Sequence, residues 1–320
     1  MKIDKRAARV WSMMGPTGLF GVAMHELAKE NKDFCVVTAD LCSFSGLERF
    51  SQEFPENFYN VGIAEQNMVG VAAGLAHEGM NVFAATYASF ASTRALDQVR
   101  ISMGYMNLPI KLVGLTAGFA SGILGATHMS LEDLAVMRAI PNIVILSPAD
   151  CAETIKCLEA AMDYAGPVYI RLTGGARMPI VYQEDYEYRI GVPIQLKEGD
   201  EVCILATGSM VNTALETGKE LDGLGISTAV IDVHTIKPFE GAIPENVMKY
   251  KLIVTAEEHS VTGGLGSAVG EVLSGYQEHP PLLRIGTRGQ YPHGASYPFL
   301  MEKSGLIKEK MIETIMDRIK

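Results

Sequence analysis

Short apolar runs alternate with longer amphipathic stretches along the first part of the chain. The runs are rich in β-branched residues, which is typical of buried strands. Strands are predicted at residues 34–38, 82–86, 110–115, 143–146 and 168–171. Helices are predicted near 19–30, 65–78, 91–106, 131–139 and 150–164. This alternation predicts a parallel sheet with helices on both faces.

A second series of the same kind follows a polar and aromatic stretch at residues 182–188. Its strands are predicted at 202–206, 227–231, 252–256 and 282–285, and its helices near 210–222, 264–275 and 305–319. The polar stretch has no helical period and suits a linker or an edge hairpin. We therefore expect an α/β protein of two domains, 1–190 and 191–320, each a largely parallel sheet flanked by helices.

Composition narrows the function classes. The chain has 320 residues, 48% of them hydrophobic, which is enough for two domains with sizeable cores. A formal net charge of −10 argues against nucleic-acid binding, although an anionic substrate can still bind at a locally basic site. Five scattered cysteines favour reduced thiols over a disulfide frame or a zinc site. No signal peptide or membrane span is indicated, so a soluble cytoplasmic protein is expected.

The segment NVGIAEQNMVGVAAGL at 60–75 is the most informative one for chemistry. Glu65 opens a predicted helix made almost wholly of small apolar residues, so we expect the helix to be buried. A carboxylate is favoured at a helix start by the helix dipole, and a buried carboxylate must be paired or have a shifted pKa. A structural first-turn glutamate and a functional one are about equally compatible with this pattern.

Two further segments follow predicted strands, where ligands bind in doubly wound sheets. Tyr87 and Phe90 are three residues apart and share one face if the turn is helical. Core packing is the commoner role of such a pair. Arg94, which follows them, is expected to be solvated. His128 closes a Gly-rich loop, a better position for a ligand contact than most histidines have. A third loop, 257–266, lacks any phosphate-loop spacing, and we assign it a packing or interface role.

Together these segments resemble the transketolase family. The most specific runs are GIAEQNM at 62–68 and ATHMSLED at 126–133, followed by MRAIPN at 137–142 and SPAD at 147–150. The stretches HTIKP at 234–238 and 257–266 resemble the C-terminal domain of split, two-subunit transketolases. The resemblance covers nearly the whole chain and corresponds to the family's pyrimidine-binding and C-terminal domains.

The resemblance implies a thiamine-diphosphate enzyme that transfers a two-carbon ketol unit from a ketose donor to an aldehyde acceptor. In the family, a glutamate at the position of Glu65 hydrogen-bonds the aminopyrimidine ring and so activates the cofactor. The positions of Tyr87 and Phe90 match aromatic residues that pack on the pyrimidine, and Ile63 is expected among the cofactor-binding residues. Asp40 matches an acidic residue near the cofactor at the subunit interface. The position of His128 matches a second catalytic residue, which contacts the reacting end of the substrate.

The family's diphosphate-binding domain has a Gly-Asp-Gly segment followed by paired asparagines that hold the metal. This chain has no such pattern. The resemblance therefore implies no metal site here and a separate N-terminal, diphosphate-binding subunit that holds Mg²⁺ or Ca²⁺. An α2β2 heterotetramer is expected, with neither nucleic acid nor membrane as a partner.

The chain departs from the family where the sugar is recognised. Ile123 and Leu124 stand at positions that usually carry an acidic pair, and leucine cannot accept a hydrogen bond from a substrate hydroxyl. Thr17, Thr116 and Gly174 stand where basic phosphate ligands are common. Ser43 keeps its place as a substrate contact, and Arg171 or Arg177 is expected to compensate. We therefore expect a small sugar substrate other than the usual pentose phosphates.

Two other interpretations remain open at this point. One is the β subunit of a 2-oxo-acid or acetoin dehydrogenase, which shares the fold and the cofactor. The other is a non-catalytic regulatory subunit, which the departures at Leu124 and Thr116 favour and the presence of Glu65, Tyr87, Phe90 and His128 opposes.

Overall fold

Buried apolar runs form the strands. A computed structural model describes residues 1–31, 33–239, 243 and 247–319. The strands are β1 (Phe34–Thr38), β2 (Phe58–Asn60), β3 (Asn81–Tyr87), β4 (Ile110–Ala117), β5 (Val144–Leu146), β6 (Val168–Thr173), β7 (Ile194–Lys197), β8 (Val202–Ala206), β9 (Thr228–Asp232), β10 (Thr235–Lys237), β11 (Leu252–Ser260) and β12 (Leu282–Thr287). Every residue of β1, β4, β6 and β8 is buried, as parallel strands covered on both faces require.

Helices cover the faces of the sheets. They are α1 (Lys5–Ala28), α2 (Glu48–Glu53), α3 (Glu65–His77), α4 (Leu96–Val99), α5 (Asp133–Arg138), α6 (Cys151–Asp163), α7 (Met210–Gly223), α8 (Leu265–Leu273), α9 (Tyr297–Lys303) and α10 (Lys308–Ile319). Asp150 caps α6, since its carboxylate accepts a hydrogen bond from the backbone nitrogen of Glu153 at 2.8 Å.

The strands form two sheets within the described residues. The first has the order β10-β5-β6-β4-β3-β1-β2, and all its pairs are parallel except β10 with β5. The second has the order β12-β11-β8-β9-β7, and only β7 with β9 is antiparallel. The predicted fold class, two largely parallel sheets flanked by helices, is confirmed.

Helix α1 begins well before its predicted start near residue 19. The Asp4 carboxylate caps it by accepting hydrogen bonds from the backbone nitrogens of Arg6 and Ala7 at 2.9 and 2.8 Å. The helix changes direction at Gly15, where φ is 75°, immediately before Pro16. These two residues interrupt the hydrophobic period, which is why the periodicity does not predict the first half of the helix.

The expectation that α3 is wholly buried is wrong. Only one face of the helix packs on the first sheet, and Gln66, Asn67, Gly70 and Gly74 on the other face are exposed. Small apolar residues often indicate burial, but here they also line an open surface. The helix predicted at 91–106 is present in altered form, since π-helical turns at Phe90–Arg94 and Arg100–Tyr105 flank α4.

The segment between β6 and β7 has no regular secondary structure, yet its aromatic side chains are packed. Tyr182 stacks on Tyr186 at 4.2 Å and donates a hydrogen bond to Asp232 at 2.7 Å. Strand β10 follows the predicted division at 190/191 in sequence but pairs with β5 of the first sheet. The division itself stays a prediction.

The helices of the described residues include none that is long and apolar enough to cross a membrane. All five cysteines are free, and Cys35 and Cys203 are buried in the core.

Candidate active site

Neighbouring strands of the first sheet end side by side, and residues singled out by the sequence follow them. Strand β3 pairs in parallel with both β1 and β4. Asp40 follows the end of β1, Tyr87 is the last residue of β3, and Thr116 lies near the end of β4. The carboxyl ends of parallel strands meet at one edge of a sheet, the usual place for a ligand.

Glu65 is the first residue of α3 and only 3% of its surface is exposed. Its Oε1 accepts a hydrogen bond from Nη1 of Arg94 at 2.8 Å. The guanidinium of Arg94 lies over the ring of Phe90, 3.9 Å from the ring centroid. Arg94 is exposed, as expected, but it also pairs with Glu65. The buried carboxylate is compensated by this cation and by the positive end of the helix.

Four rings surround the space in front of this pair. Tyr87 lies 5.5 Å from Phe90, 5.0 Å from His128 and 5.1 Å from Phe44, measured between ring centroids. His128 also meets Phe90 at 5.2 Å. Burial raises the pKa of the Tyr87 hydroxyl. The structure thus brings the predicted aromatic pair and the predicted histidine together, and adds Phe44 as a fourth member that no sequence pattern indicates.

The loop at 118–128 is held in place by the second domain. The buried carboxylate of Glu258 accepts a hydrogen bond from the backbone nitrogen of Phe119 at 2.6 Å and one from the hydroxyl of Tyr297 at 2.7 Å. Burial raises the pKa of Glu258, while its hydrogen bonds oppose this shift. The backbone nitrogen of Ala295 also donates to Gly122 at 3.2 Å. The packing role assigned to the 257–266 loop includes this support.

The same loop ends in the half-buried His128. Its backbone nitrogen donates to Gly125 at 3.0 Å, and Nδ1 lies 2.9 Å from the Thr127 hydroxyl. Ile123 and Leu124, on a 3₁₀ turn of the loop, are 80% and 52% exposed. Their side chains therefore face the open space beside the ring cluster rather than the core.

A cavity of about 430 Å³ lies between this loop and α1. Its lining residues are apolar or small and uncharged: Met14, Gly15, Thr17, Gly18, Phe44, Tyr87, Thr116, Ala120, Ser121, Ile123, Leu124, Gly174, Gly175 and Ala176. All three positions that lack the expected basic residue, Thr17, Thr116 and Gly174, are among them. None of the lining side chains carries a cation for a phosphate group.

Thr116 is strained as well as buried. Its φ is 50°, a left-handed conformation that is a genuine outlier for a β-branched residue. Its hydroxyl oxygen has no hydrogen-bond partner among the described residues. Such strain persists only where the surrounding structure imposes it, and it is commonest at functional sites.

Asp40, Ser43 and Ile63 lie at the exposed rim of this region. The side-chain oxygen of Asn60 accepts hydrogen bonds from the backbone nitrogens of Asp40 and Gly62, both at 3.0 Å. These bonds tie the turn after β1 to the residues that precede α3. Ser43 is exposed, and Ile63 is 78% exposed. Ile63 is a large apolar side chain exposed two residues before the buried Glu65, which is typical of a surface that another chain covers.

Arg171 is not part of the site. It is 1% exposed, and its Nε donates to Oδ2 of Asp133 at 2.8 Å. Its Nη2 donates to the backbone oxygens of Ser130 and Glu258, at 3.3 and 2.9 Å. These three bonds fix the guanidinium between the two domains, so it is not free to compensate for the missing phosphate ligands.

The contacts of three residues of the region are not indicated by the sequence. Phe44 lies in a loop without a regular period, Arg94 ends an irregular π-helical turn, and Glu258 comes from the other domain. Their partners are Tyr87, Glu65 and Phe119, and no local sequence pattern identifies these pairs. Among the described residues, no group of three or more His, Cys, Asp or Glu side chains is arranged to hold a metal ion.

Family models match most of the chain. The transketolase pyrimidine-binding domain matches residues 14–176, and the transketolase C-terminal domain matches residues 192–311. The 6-deoxy-6-sulfo-D-fructose transketolase subunit SqwH of a Clostridium species is 41% identical over 288 residues, 90% of this chain and 89% of that protein. An apulose-4-phosphate transketolase subunit of Phocaeicola vulgatus is 39% identical over 299 residues, 92% of this chain and 94% of that protein.

Solved structures agree with these matches. A split-gene transketolase described as an inactive β4 tetramer superposes with a TM-score of 0.88 at 39% identity, over 96% of this chain and 98% of that one. The transketolase of Campylobacter jejuni superposes with a TM-score of 0.77 at 23% identity, over 95% of this chain and 46% of that one, which shows a shared fold.

Proposed function

The chain belongs to the transketolase family, and from this premise we propose that it is one subunit of a thiamine-diphosphate-dependent enzyme that transfers a two-carbon ketol unit from a ketose to an aldehyde. The observation that carries the proposal is the buried carboxylate of Glu65, whose partner Arg94 lies over the ring of Phe90, next to Tyr87. A carboxylate held in a dry, aromatic space makes short, strong hydrogen bonds to a ligand N–H.

These residues fit the pyrimidine half of the cofactor. Glu65 offers a hydrogen-bond acceptor, since among the described residues only Arg94 bonds its carboxylate, and that through Oε1. Phe44, Tyr87 and Phe90 offer flat apolar surface to an aromatic ring. Bound thiamine diphosphate supplies the carbon nucleophile and the electron sink for ketol transfer. His128, at the edge of the same ring cluster, is placed to hold or move a proton at the substrate.

The diphosphate end of the cofactor does not fit this chain. The sequence has no Gly-Asp-Gly segment with paired asparagines, and the described residues offer no metal-binding group. We infer that a separate diphosphate-binding subunit holds the diphosphate and Mg²⁺ or Ca²⁺, in an α2β2 heterotetramer. The exposed Ile63 and the open face of α3 support a partner at this position.

We also infer a cytoplasmic location, since the chain combines five free cysteines with no membrane-spanning helix in its described part.

We propose that the substrate differs from the usual pentose phosphates. The cavity beside His128 has no cationic side chain among its lining residues, and the leucine at 124 cannot recognise a hydroxyl. The two relatives described above are named for a sulfo-fructose and for apulose 4-phosphate, sugars outside the usual pentose phosphates. A phosphate group, if the substrate carries one, must be held by residues of the partner.

Reconstitution with the partner subunit tests the proposal. The complex is supplied with thiamine diphosphate, Mg²⁺ and a panel of ketoses, both phosphorylated and uncharged, and two-carbon transfer to aldehydes is measured. We expect transfer with at least one ketose and weak turnover of xylulose 5-phosphate with ribose 5-phosphate. Efficient turnover of that pair would overturn the substrate assignment. Decarboxylation of 2-oxo acids without ketol transfer would identify a dehydrogenase-type subunit instead.

The regulatory interpretation is tested by cofactor binding. A titration of thiamine diphosphate into the partner alone and into the complex compares the two affinities. We expect much tighter binding by the complex, because the pyrimidine half of the site lies on this chain. Equal affinity, with no change in turnover, would identify a subunit without a catalytic role.

A further inference from the structure

Two adjacent cavities lie in the second domain, beyond the carboxyl end of β12 and outside the candidate active site. The larger one, the β12 cavity, has a volume of about 710 Å³, and Thr287, Arg288, Tyr291, His293, Phe299 and Lys303 are among its lining residues. The smaller one, of about 480 Å³, is lined by Arg284, Arg288 and Arg318 among others. Because Arg288 lines both, the two cavities form one continuous depression.

The depression is basic on an acidic protein. No Asp or Glu is among the residues that line either cavity, whereas the whole chain has a formal net charge of −10. Clustered cations in a concave surface concentrate the local field and attract anions. One carboxylate, Glu132, lies near the edge of the depression: burial and then this carboxylate raise the pKa of the Tyr291 hydroxyl.

Its basic side chains include three that are unpaired. Arg288, His293 and Lys303 have no hydrogen bond or ion pair with any residue that the structure describes. By contrast, Arg138 is paired with Glu271 at 2.5 Å and Lys310 with Glu313 at 2.7 Å. The donors in the β12 cavity are therefore available to a ligand without breaking an internal bond.

The position and shape suit a small molecule. Strand β12 is an edge strand that runs parallel to β11, and ligands of open parallel sheets bind beyond the carboxyl ends of the strands. The volume falls in the range of small-molecule pockets. Tyr291 and Phe299, 56% and 51% exposed, give the cavity an aromatic wall against which a carbon skeleton can pack.

We propose that the β12 cavity is a second binding site, for a phosphorylated small molecule. The phosphate group is held by Arg288 and Lys303, and the carbon skeleton packs against Tyr291 and Phe299. An arginine fork and a lysine ammonium match phosphate oxygens, and the fork does so with two parallel bonds. This site contrasts with the cation-free cavity beside His128, so the two do not compete for one ligand.

The wall of the β12 cavity is shared with the loop at 118–128. Ala295, which lines the cavity, donates its backbone N–H to Gly122 at 3.2 Å. A Cβ on Gly122 would lie 2.2 Å from Cδ1 of Leu300, another lining residue. The backbone hydrogen bond and the packing of Leu300 join the cavity wall to the loop that carries Leu124 and His128, so a bound ligand is placed to influence that loop.

Calorimetric titration of the full chain with glucose 6-phosphate tests the proposal, with glucose as the uncharged comparison. We expect saturable 1:1 binding of the phosphate ester and none of glucose. The double variant Arg288→Ala/Lys303→Ala is expected to bind at least tenfold more weakly. The matched control, Arg9→Ala/Lys219→Ala, removes the same charge from exposed positions elsewhere and is expected to bind as the wild type does.

Three results would overturn the proposal. The first is no binding of the ester at low ionic strength, and the second is equal weakening in both double variants, which would indicate unspecific attraction. Binding that survives Arg288→Ala/Lys303→Ala would place the ester at another site and would also refute it. Circular dichroism checks that the variants are folded. The test needs neither the partner subunit nor ketol transfer, so its outcome is independent of the proposed function.

Discussion

At the scale of single residues, the buried charges divide into two kinds. Glu65 is compensated by one half-exposed arginine at the edge of an open space, whereas Asp133 is compensated by Arg171 with both groups fully buried. A ligand can reach the first pair but not the second. Substitutions at the two pairs are therefore expected to have different consequences.

Replacement of Glu65 by alanine is expected to leave the fold intact and to remove most of the turnover of the reconstituted enzyme. Glu65 lies in the first turn of α3 and pairs with an arginine that is itself 47% exposed, so its loss leaves that cation in contact with water while it removes the acceptor proposed for the cofactor. Steady-state rates and circular dichroism check this. Turnover near the wild-type rate would refute the role assigned to Glu65.

Replacement of Arg171 by methionine is expected to lower the free energy of unfolding by about 3–5 kcal/mol, because it leaves the buried Asp133 carboxylate without its cation, with the hydroxyl of Tyr169 still donating to Oδ2 at 2.9 Å. Urea denaturation measures the change. The control is Arg189→Met, whose exposed pair with Glu187 is expected to contribute about 0–1 kcal/mol. A small loss of stability in Arg171→Met, together with a raised KM for the sugar, would restore the substrate role predicted from the sequence.

At the scale of elements, two helical glycines in the first domain have opposite surroundings. Gly21 in α1 touches the loop at 41–47, where a Cβ would lie 2.0 Å from the backbone oxygen of Gly46. Gly70 in α3 has no atom within 4 Å of its would-be Cβ. The first glycine is needed for the close approach of two backbones, whereas the second only weakens its helix.

Gly21→Ala is expected to destabilise the chain by about 2 kcal/mol, because helix and loop must separate to admit the methyl group. The separation also moves Phe44 away from Tyr87. Gly70→Ala, the matched control, is expected to stabilise the chain by about 0.5–1 kcal/mol through its better helix propensity. Denaturant titration of the isolated chain measures both, and effects of the same sign would contradict the packing described for α1.

At the scale of the whole molecule, the two domains are joined by more than the connecting segment. Strand β10 completes the first sheet from within the second half of the chain, and Glu258 fixes the loop at 118–128. His234, immediately before β10, is buried and bonds the backbone oxygen of Val192 at 2.8 Å and the hydroxyl of Thr235 at 2.9 Å. The junction therefore contains an imidazole that burial keeps neutral.

Stability is expected to fall in acid partly because of this histidine. Burial lowers the pKa of His234 to about 4, below the value of about 6.5 expected in the unfolded chain. Between these values the unfolded state binds more protons, so the free energy of unfolding decreases as pH falls from about 6.5 towards about 4. The contribution of His234 is fully present above this window and is lost across it.

His234→Gln is expected to show a shallower acid dependence than the wild type, by up to about 1.4 kcal/mol per pH unit. Urea denaturation at several pH values between about 4 and about 7.5 measures the slopes on both sides of the expected window. His77→Gln, at an exposed position on α3, should leave the slope unchanged. Identical slopes for His234→Gln and the wild type would contradict the buried, neutral state of His234.

Local patterns in the chain are sufficient to predict the order of most strands and helices, the α/β class and the segment around Glu65, because apolar period and helix caps depend on residues close together in sequence. They do not predict that Arg94 pairs with Glu65, that Phe44 joins Tyr87, or that Arg171 is enclosed between the domains. Nor do they predict β10, in which Thr235 pairs with Leu146 of a distant strand. Phe119 and Glu258 are separated by 139 residues, and only packing brings them together. Burial can be predicted from a local pattern, whereas the partner of a buried charge depends on how distant segments pack in three dimensions.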